Sequence, residues 1–323
     1  MAKRRVAQLN ALIAIDKPGG CTSHDVVARV RRAVGERRVG HAGTLDPMAS
    51  GVLVVGIGQA TRLLGRLTLD TKRYLAEIAF GYETATDDAE GAVTREAEVP
   101  AELTDETFAR GALAGILGEQ MQVPPSYSAI SVDGVRSYAR ARAGEEVELE
   151  ARPITVHEAE LISIRAQGPS PIWTVSFTVS KGTYIRALAR DLGRSLSSAA
   201  HLAGLVRTAS GSVTRGDCLE LDALTAEAAR AAALDPVRAL GAYPVRCAEA
   251  AMADVLCGKR IPSSALERIE EGEPGGRPVA LVCAARLVAL GSLEGGCFVP
   301  TDVFPQPIEG VSGEAASRGG GFR

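Results

Sequence analysis

The pattern of apolar and polar residues changes period several times along the chain and predicts interspersed strands and helices. Short apolar runs and strict alternation indicate strands, which we predict over Leu12–Ile15, Gly51–Gly56, Tyr74–Phe80 and Trp173–Val179. Apolar residues spaced three and four apart indicate helices, over His24–Val34, Thr104–Leu117 and Thr183–Leu196. Because the two kinds of element do not alternate strictly, an α+β fold with a mixed sheet is favoured over a parallel doubly wound one.

The first predicted helix separates its two faces. Its valines repeat at helical spacing on one side, whereas Arg29 and Arg32 fall on the other. Ser23 is the expected N-cap, because a serine hydroxyl can accept a hydrogen bond from an N–H group of the first turn. The helix should therefore bury valine and expose arginine.

Length and changes of pattern indicate two domains. A chain of 323 residues exceeds what one hydrophobic core usually organises. An alanine-rich helical stretch ends near Asp235, and short apolar runs follow. We predict a large domain over 1–237, a small β-rich domain over 238–306 and a disordered, glycine-rich tail over 307–323. Residues 121–152 should leave the sheet as an excursion that begins with prolines and carries a basic cluster, formed by Arg136, Arg140 and Arg142.

Charge is distributed unevenly along the chain. The formal net charge is −3, but residues 1–75 carry +8 and the remaining residues −11. Such asymmetry is typical of a protein that binds phosphates with one face. A solvated surface of mixed charge is the alternative, and charge alone leaves both open.

Several classes of protein are excluded by what the sequence lacks. No stretch approaches the roughly 18 uncharged apolar residues of a membrane span, and no apolar signal core follows the basic start. A cytoplasmic protein is therefore expected. The six cysteines form no Cys-x-x-Cys pair and the four histidines lie far apart, so neither a disulfide framework nor a metal site is predicted.

One acidic residue stands in a loop suited to chemistry. Asp46 lies in a Gly-rich segment, precedes Pro47 and comes just before the strand predicted from Gly51. Loops at the end of a sheet commonly present reactive side chains. From the residues alone, Asp46 could be a nucleophile, a general acid or base, a metal ligand or a turn former before proline.

The segment Val39–Gly51 resembles the catalytic motif of TruB-type pseudouridine synthases, which reads Gly-His-x-Gly-x-Leu-Asp-Pro. Further matches follow in family order, at Asp16–Pro18, Thr22–Asp25, Lys72–Tyr74, Pro124–Ala129, Lys181–Arg186 and His201–Thr208. The resemblance covers about residues 9–235, with Ser50 where threonine is frequent. It implies a mainly antiparallel pseudouridine-synthase sheet with flanking helices and a C-terminal domain similar to the PUA module, an RNA-binding fold.

The resemblance also implies a reaction: isomerisation of the uridine at position 55 in the T loop of tRNA, after the base is flipped from its stack. Asp46 would act as the nucleophile, by attack on the sugar or through a glycal intermediate. Arg186 would pair with Asp46 and keep it ionised by lowering its pKa. Tyr74 would stack on the uracil and take the proton from C5.

Three further residues are implied to bind the substrate. His41 would help to fill the space left by the flipped base, and Leu205 would line the uracil pocket. Tyr184 precedes Arg186 on the predicted helix, where both would lie about 100° from the buried stripe, so that neither is needed for the core.

The same resemblance implies a monomer that binds the T arm of tRNA without cofactor, metal, guide RNA or obligate protein partner. Three alternatives stay open: a noncatalytic tRNA-binding or tRNA-folding protein that uses the same groove, a guide-RNA-dependent enzyme of the dyskerin type, and an Asp-dependent hydrolase. Residues 237–323 hold 9 basic and 10 acidic residues. The C-terminal domain thus has no evident phosphate-binding charge.

Overall fold

The computed structural model describes residues 7–68, 71–127, 131–132, 135–136, 149–167 and 170–312. Its strands are β1 (Ala11–Lys17), β2 (Val39–Ala42), β3 (Ser50–Ile57), β4 (Lys72–Phe80), β5 (Tyr82–Thr84), β6 (Val93–Glu96), β7 (Gly118–Gln122), β8 (Ser131–Val132), β9 (Val135–Arg136), β10 (Arg152–Gln167), β11 (Ser170–Val179), β12 (Ala200–Ser210), β13 (Val213–Thr214), β14 (Cys218–Glu220), β15 (Tyr243–Cys247), β16 (Ile261–Pro262), β17 (Leu266–Arg268), β18 (Val279–Cys283), β19 (Arg286–Glu294) and β20 (Cys297–Ile308).

The α-helices among these residues are α1 (Ser23–Val34), α2 (Leu64–Leu67), α3 (Glu106–Ala114), α4 (Ile185–Ser195), α5 (Ala226–Ala231), α6 (Pro236–Ala239) and α7 (Met252–Leu256). Short 3₁₀ turns lie at Gly58–Leu63, Ala101–Thr104, Arg215–Asp217, Leu221–Ala223, Glu249–Ala251 and Ser263–Ala265. The elements predicted from periodicity are present, with ends shifted by a few residues. No described helix is long and apolar enough to cross a membrane.

Contacts divide the described chain into two units. The first takes the described residues of 1–47, 51–69 and 209–323. In it β1 pairs in parallel with β14 and antiparallel with β3, and β2 pairs with β3. A six-stranded sheet of the order β16-β20-β19-β18-β15-β17 belongs to the same unit.

The second unit takes the described residues of 48–50 and 70–208. Its strands follow the order β12-β4-β11-β10-β7, and the pairs from β4 to β7 are antiparallel. Together the two units confirm the predicted fold class: α+β, with a mixed and mainly antiparallel arrangement of strands and a β-rich C-terminal part.

Strand β1 is buried on both faces, which explains its unbroken apolar run. Ile13 and Ile15 pack in a core that contains the valines of α1. Leu12 and Ala14 belong to a second core, which includes Phe304 of the C-terminal sheet. The N-terminal strands and the C-terminal strands therefore share one hydrophobic core within the first unit.

The predicted N-cap of α1 was wrong by one residue. Thr22 has the extended backbone of an N-cap and accepts a hydrogen bond from the N–H of Asp25, whose carboxylate in turn accepts one from the N–H of Thr22. This reciprocal pair is a capping box. Ser23 is the first helical residue, and its side chain is buried.

Two predicted segments lie partly outside the described residues. In the excursion at 121–152, Arg140, Arg142 and the side chain of Arg136 fall outside them. At the C-terminal end, β20 runs to Ile308, which is buried, and the N–H of Glu309 donates to the carbonyl of Asn10. Residues 313–323 are also outside the described part, and the domain division near residue 237 stays a prediction.

Candidate active site

Asp46 lies in the connection between β2 and β3, with its side chain half-buried. The backbone on its N-terminal side is held by the buried hydroxyl of Ser23, which donates to the Leu45 carbonyl at 3.1 Å and accepts from the Leu45 N–H at 2.9 Å. Both hydrogen-bonding groups of the residue before Asp46 are therefore bound by the first turn of α1.

The backbone on the C-terminal side of Asp46 is held as firmly. The Pro47 carbonyl accepts hydrogen bonds from the N–H of Gly20 at 2.9 Å and from the Nζ of Lys17 at 3.3 Å. Lys17 is fully buried, and its Nζ also bonds the Pro18 carbonyl at 3.0 Å. The turn after β1 and the start of α1 thus hold the backbone on both sides of Asp46, which restricts where its side chain can lie.

His41 is half-buried on β2, where it lies opposite Val55 of β3. Its ring meets the ring of His24 edge to face, with centroids 5.5 Å apart. His24 lies in the first turn of α1, so the turn that supports the Asp46 loop also contacts His41. The first unit therefore brings His41 and the Asp46 loop against the same element.

The sequence predicted that Arg186 lies beside the buried stripe and is not needed for the core. In the structure Arg186 is buried. Its side chain is only 5% exposed and is held by polar contacts within the second unit. Nη1 donates to the Thr86 carbonyl at 2.8 Å and lies 3.6 Å from Oδ2 of Asp88, and Nη2 donates to the Tyr127 carbonyl at 3.0 Å. The helical pattern failed here because the first half of α4 is buried on nearly all sides.

The carboxylates that pair with the arginines at 186, 190 and 194 of α4 come from an acidic segment, 83–88, that sequence reasoning missed. Glu83, Asp87 and Asp88 are all buried, and each pairs with an arginine of α4. Those arginines recur every fourth residue, at 186, 190 and 194. The four-residue spacing of the arginines and the adjacent pair Asp87 and Asp88 could have indicated ion pairs with α4. Nothing in the sequence shows which acid meets which arginine.

Electrostatics differ among these acids. Burial raises the pKa of Asp87 above its ordinary value, although Arg190 and Arg186 act in the opposite direction. The hydrogen bond from Arg194 holds the pKa of Glu83 below its ordinary value against the effect of burial. Glu83 is therefore the more firmly ionised of the two carboxylates.

The other predicted site residues also lie in the second unit. Tyr74 is half-buried on β4, opposite Phe177 of β11. Tyr184 precedes α4 as its N-cap, with its N–H and carbonyl both bonded to the side chain of Gln122, at 2.9 and 3.1 Å. Leu205 is buried on β12. Their contacts with substrate stay predictions, as does the pairing of Arg186 with Asp46.

A metal site was not expected, and the described residues contain no group of three or more His, Cys, Asp or Glu side chains that could hold an ion. The independence of the reaction from metal and cofactor stays a prediction for experiment.

The α+β fold agrees with the comparison with known proteins. Residues 31–185 match the family model described as the N-terminal domain of TruB family pseudouridylate synthases. The tRNA pseudouridine synthase B of Arthrobacter sp. (strain FB24) is 44% identical over 300 residues, with 92% of this chain and 97% of the relative covered. That of Thermobifida fusca (strain YX) is 46% identical over 301 residues, with 91% and 98% covered.

The chain belongs to the TruB family of pseudouridine synthases, as its sequence motifs predicted. It is accordingly an isomerase that forms pseudouridine from uridine.

Solved structures show the same fold. An H/ACA ribonucleoprotein bound to a substrate RNA containing 2′-deoxyuridine matches with a TM-score of 0.64 and 25% identity, covering 91% of this chain and 84% of that chain. An archaeal box H/ACA Nop10–Cbf5 complex matches with a TM-score of 0.63 and 26% identity, covering 94% and 88%.

Proposed function

We propose that this protein isomerises the uridine at position 55 in the T loop of tRNA, and that Asp46 is the nucleophile. The tRNA substrate is supported by relatives named tRNA pseudouridine synthase B, which match more than nine tenths of the chain. The observation that carries the role of Asp46 is the clamped backbone on both sides of it, through Leu45 and Pro47.

The reaction explains why the carboxylate must be held. The bond between uracil N1 and ribose C1′ breaks, the base turns, and C5 bonds to C1′. N1 gains a proton and C5 loses one, so no other reactant is consumed. Asp46 acts either by attack on C1′ or by assisting a glycal intermediate. Because the freed base must not escape, the carboxylate has to be in place before the bond breaks.

The remaining residues take the roles implied by the resemblance. His41 supports the flipped-out state, and Tyr74 stacks on the uracil and accepts the C5 proton. Arg186 serves as the cation that pairs with the carboxylate of Asp46 and orients it. Its guanidinium is held by two carbonyls and lies near Asp88, which limits the directions in which it can point.

Stand-alone action in the cytoplasm is part of the proposal. The solved structures named above are ribonucleoprotein components at 25% and 26% identity, whereas the relatives named as tRNA enzymes are 44% and 46% identical. The greater identity favours an enzyme that reads the shape of the T loop itself.

Release of tritium from uridine labelled at C5 tests the proposal, because binding or base flipping alone releases none. We expect purified protein with excess chelator to release one tritium per unmodified tRNA transcript, from position 55. A transcript with cytidine at that position should release none. Absence of release from the unmodified transcript would favour a noncatalytic tRNA-binding or tRNA-folding protein, and release that requires a guide RNA would overturn stand-alone action.

Two variants assign the chemistry to Asp46. Asp46→Asn keeps the shape of the side chain but cannot act as a nucleophile, so we expect no turnover and a tRNA affinity within about tenfold of wild type. Asp222→Asn is the matched control, since Asp222 is exposed and pairs with Arg29 on the surface. Turnover by Asp46→Asn on the order of a percent of wild type would remove Asp46 from this role.

A further inference from the structure

Helix α4 is fastened to its surroundings by a ladder of three arginines. Arg186, Arg190 and Arg194 are separated by four residues each, so that their side chains project from one side of the helix. Each meets an acid of the segment 83–88, namely Asp88, Asp87 and Glu83 in turn. The helix and the acidic segment therefore run along each other over two helical turns.

Arg190, in the middle of the ladder, has all three guanidinium nitrogens engaged. Nη1 donates to Oδ2 of Asp87 at 2.8 Å, Nη2 to the Val123 carbonyl at 2.9 Å and Nε to Oδ1 of Asp191 at 2.9 Å. The side chains of Arg190 and Asp87 are only 11% and 10% exposed. Arg190 and Asp87 thus form a buried ion pair, and Arg190 also binds the backbone of Val123, which belongs to neither α4 nor the acidic segment.

Arg190 and Arg186 bind the same two segments. Arg186 takes the carbonyls of Thr86 and Tyr127, and Arg190 takes the carboxylate of Asp87 and the carbonyl of Val123. The Asp87 and Val123 contacts of Arg190 thus lie one and four residues from the Thr86 and Tyr127 contacts of Arg186. A shift of either segment along α4 would move the oxygens that orient Arg186.

We propose that the Arg190–Asp87 pair is a positioning device for Arg186, and that it sets the geometry of the isomerisation without contacting the substrate. The inference rests on the role proposed above for Arg186. Arg190 and Asp87 hold together the segments at 86–88 and 123–127, and oxygens of these two segments orient the guanidinium of Arg186.

The backbone conformation of Asp87 supports this positioning role. Its φ angle is 59°, in the left-handed region that costs most residues energy and that aspartate and asparagine tolerate best. The N–H of Asp87 donates to the Thr84 carbonyl, and its own carbonyl accepts from the N–H of Leu202 on β12. Such a conformation persists where the surroundings fix it, and here it directs the Thr86 carbonyl and the Asp88 carboxylate toward Arg186.

The neighbouring pair offers a matched control. Arg194 bonds Glu83 through two nitrogens, at 2.9 and 2.6 Å, and so ties the same helix to the same acidic segment. Its hydrogen bonds do not extend to the described residues 122–127. Arg194 is 54% exposed, whereas Arg190 is 11% exposed, so stability is compared separately from the reaction. A positioning pair should affect the rate of the chemical step and the segment at 122–127 only at Arg190.

The test compares Arg190→Gln, Asp87→Asn, the double variant and Arg194→Gln by three measurements: single-turnover tritium release, tRNA dissociation constant and hydrogen exchange. We expect Arg190→Gln and Asp87→Asn to slow the chemical step by ten- to hundredfold, with the dissociation constant within about threefold of wild type. The double variant should be no slower than the slower single variant, because the two residues act as one unit. Arg194→Gln should react within about threefold of wild type.

Hydrogen exchange tests the clamp without relying on activity. Arg190→Gln should speed exchange in residues 84–91 and in residues 119–127, whereas Arg194→Gln should spare the second segment. Unchanged exchange at 119–127 in Arg190→Gln, or an equal loss of rate in Arg194→Gln, would overturn the inference. Absence of tritium release from the wild type would overturn the proposed function instead, and the exchange data would still decide whether Arg190 joins the two segments.

Discussion

The hydroxyl of Ser23 is bonded to both backbone groups of Leu45, donating to its carbonyl and accepting from its N–H. The helix that buries its valines against β1 therefore also holds the residue before Asp46. Core packing and the geometry of the candidate nucleophile are joined through one buried side chain, since α1 cannot shift without moving the loop.

Ser23→Ala should impair the reaction more than binding. Loss of the hydroxyl leaves two buried backbone groups of Leu45 without their partner, which costs about 1–3 kcal/mol of stability. We expect a roughly tenfold lower single-turnover rate, with tRNA affinity within about threefold of wild type. Ser212→Ala, which removes an exposed hydroxyl bonded to the Arg238 carbonyl, is the control and should change neither. An unaltered rate in Ser23→Ala would show that the clamp is not needed.

Phe304→Ala should destabilise the N-terminal strands as well as the C-terminal sheet. Phe304 is fully buried in the core that contains Leu12 and Ala14, and Arg62 lies over its ring. A cavity of this kind costs about 3–5 kcal/mol. Thermal unfolding and hydrogen exchange in β1 should both respond, whereas Leu256→Ala, at a position that is 39% exposed, should have a smaller effect. If Phe304→Ala leaves hydrogen exchange in β1 unchanged, the C-terminal sheet does not stabilise the N-terminal strands.

Binding of tRNA should weaken with added salt despite the acidic net charge. Arg32 and Arg37 are exposed and form no ion pair with the described residues, unlike Arg29, which pairs with Asp222. If each replaces one counterion, the variant Arg32→Gln/Arg37→Gln should lower the slope of log affinity against log salt by roughly 1.5. Arg246→Gln, at an exposed pair with Glu267, is the control. An unchanged slope would place the tRNA elsewhere.

The arginines of the excursion, at 136, 140 and 142, are predicted from the sequence to contribute to the same slope. Their combined substitution should reduce it further. Retention of the full slope in that triple variant would indicate that the excursion does not bind phosphates.

Lowering the pH should reduce the stability of the wild type more than that of the variant Glu83→Gln, when each protein is compared with its own stability at neutral pH. Because Arg194 lowers the pKa of Glu83 in the folded protein, the stabilisation is fully present above the ordinary value of 4.5 and is lost as the pH falls through the lower folded value. Melting temperatures measured from about pH 6 to about pH 3 should therefore fall less steeply in Glu83→Gln. Parallel curves for the wild type and Glu83→Gln would contradict the assignment.

The sequence was informative where local rules apply. Alternation and helical spacing identified the strands and the valine face of α1, and the motif around Asp46 identified the family. The burial of Arg186 could not be read from the spacing of α4, since an arginine beside an apolar stripe is exposed by default. Its partners lie 98 and 100 residues away in the sequence, at Asp88 and Thr86, and only the folded chain brings them together.

The shared core of β1 and β20 has a consequence for synthesis on the ribosome. Residues 70–208 are consecutive and can fold as they emerge, but the unit that contains Asp46 lacks one face of its core until Phe304 and Ile308 have been made. Strand β1 must therefore wait for β20. During that interval the apolar face of β1 needs protection from other chains, and the candidate nucleophile lies in an incompletely packed unit until β20 has been made.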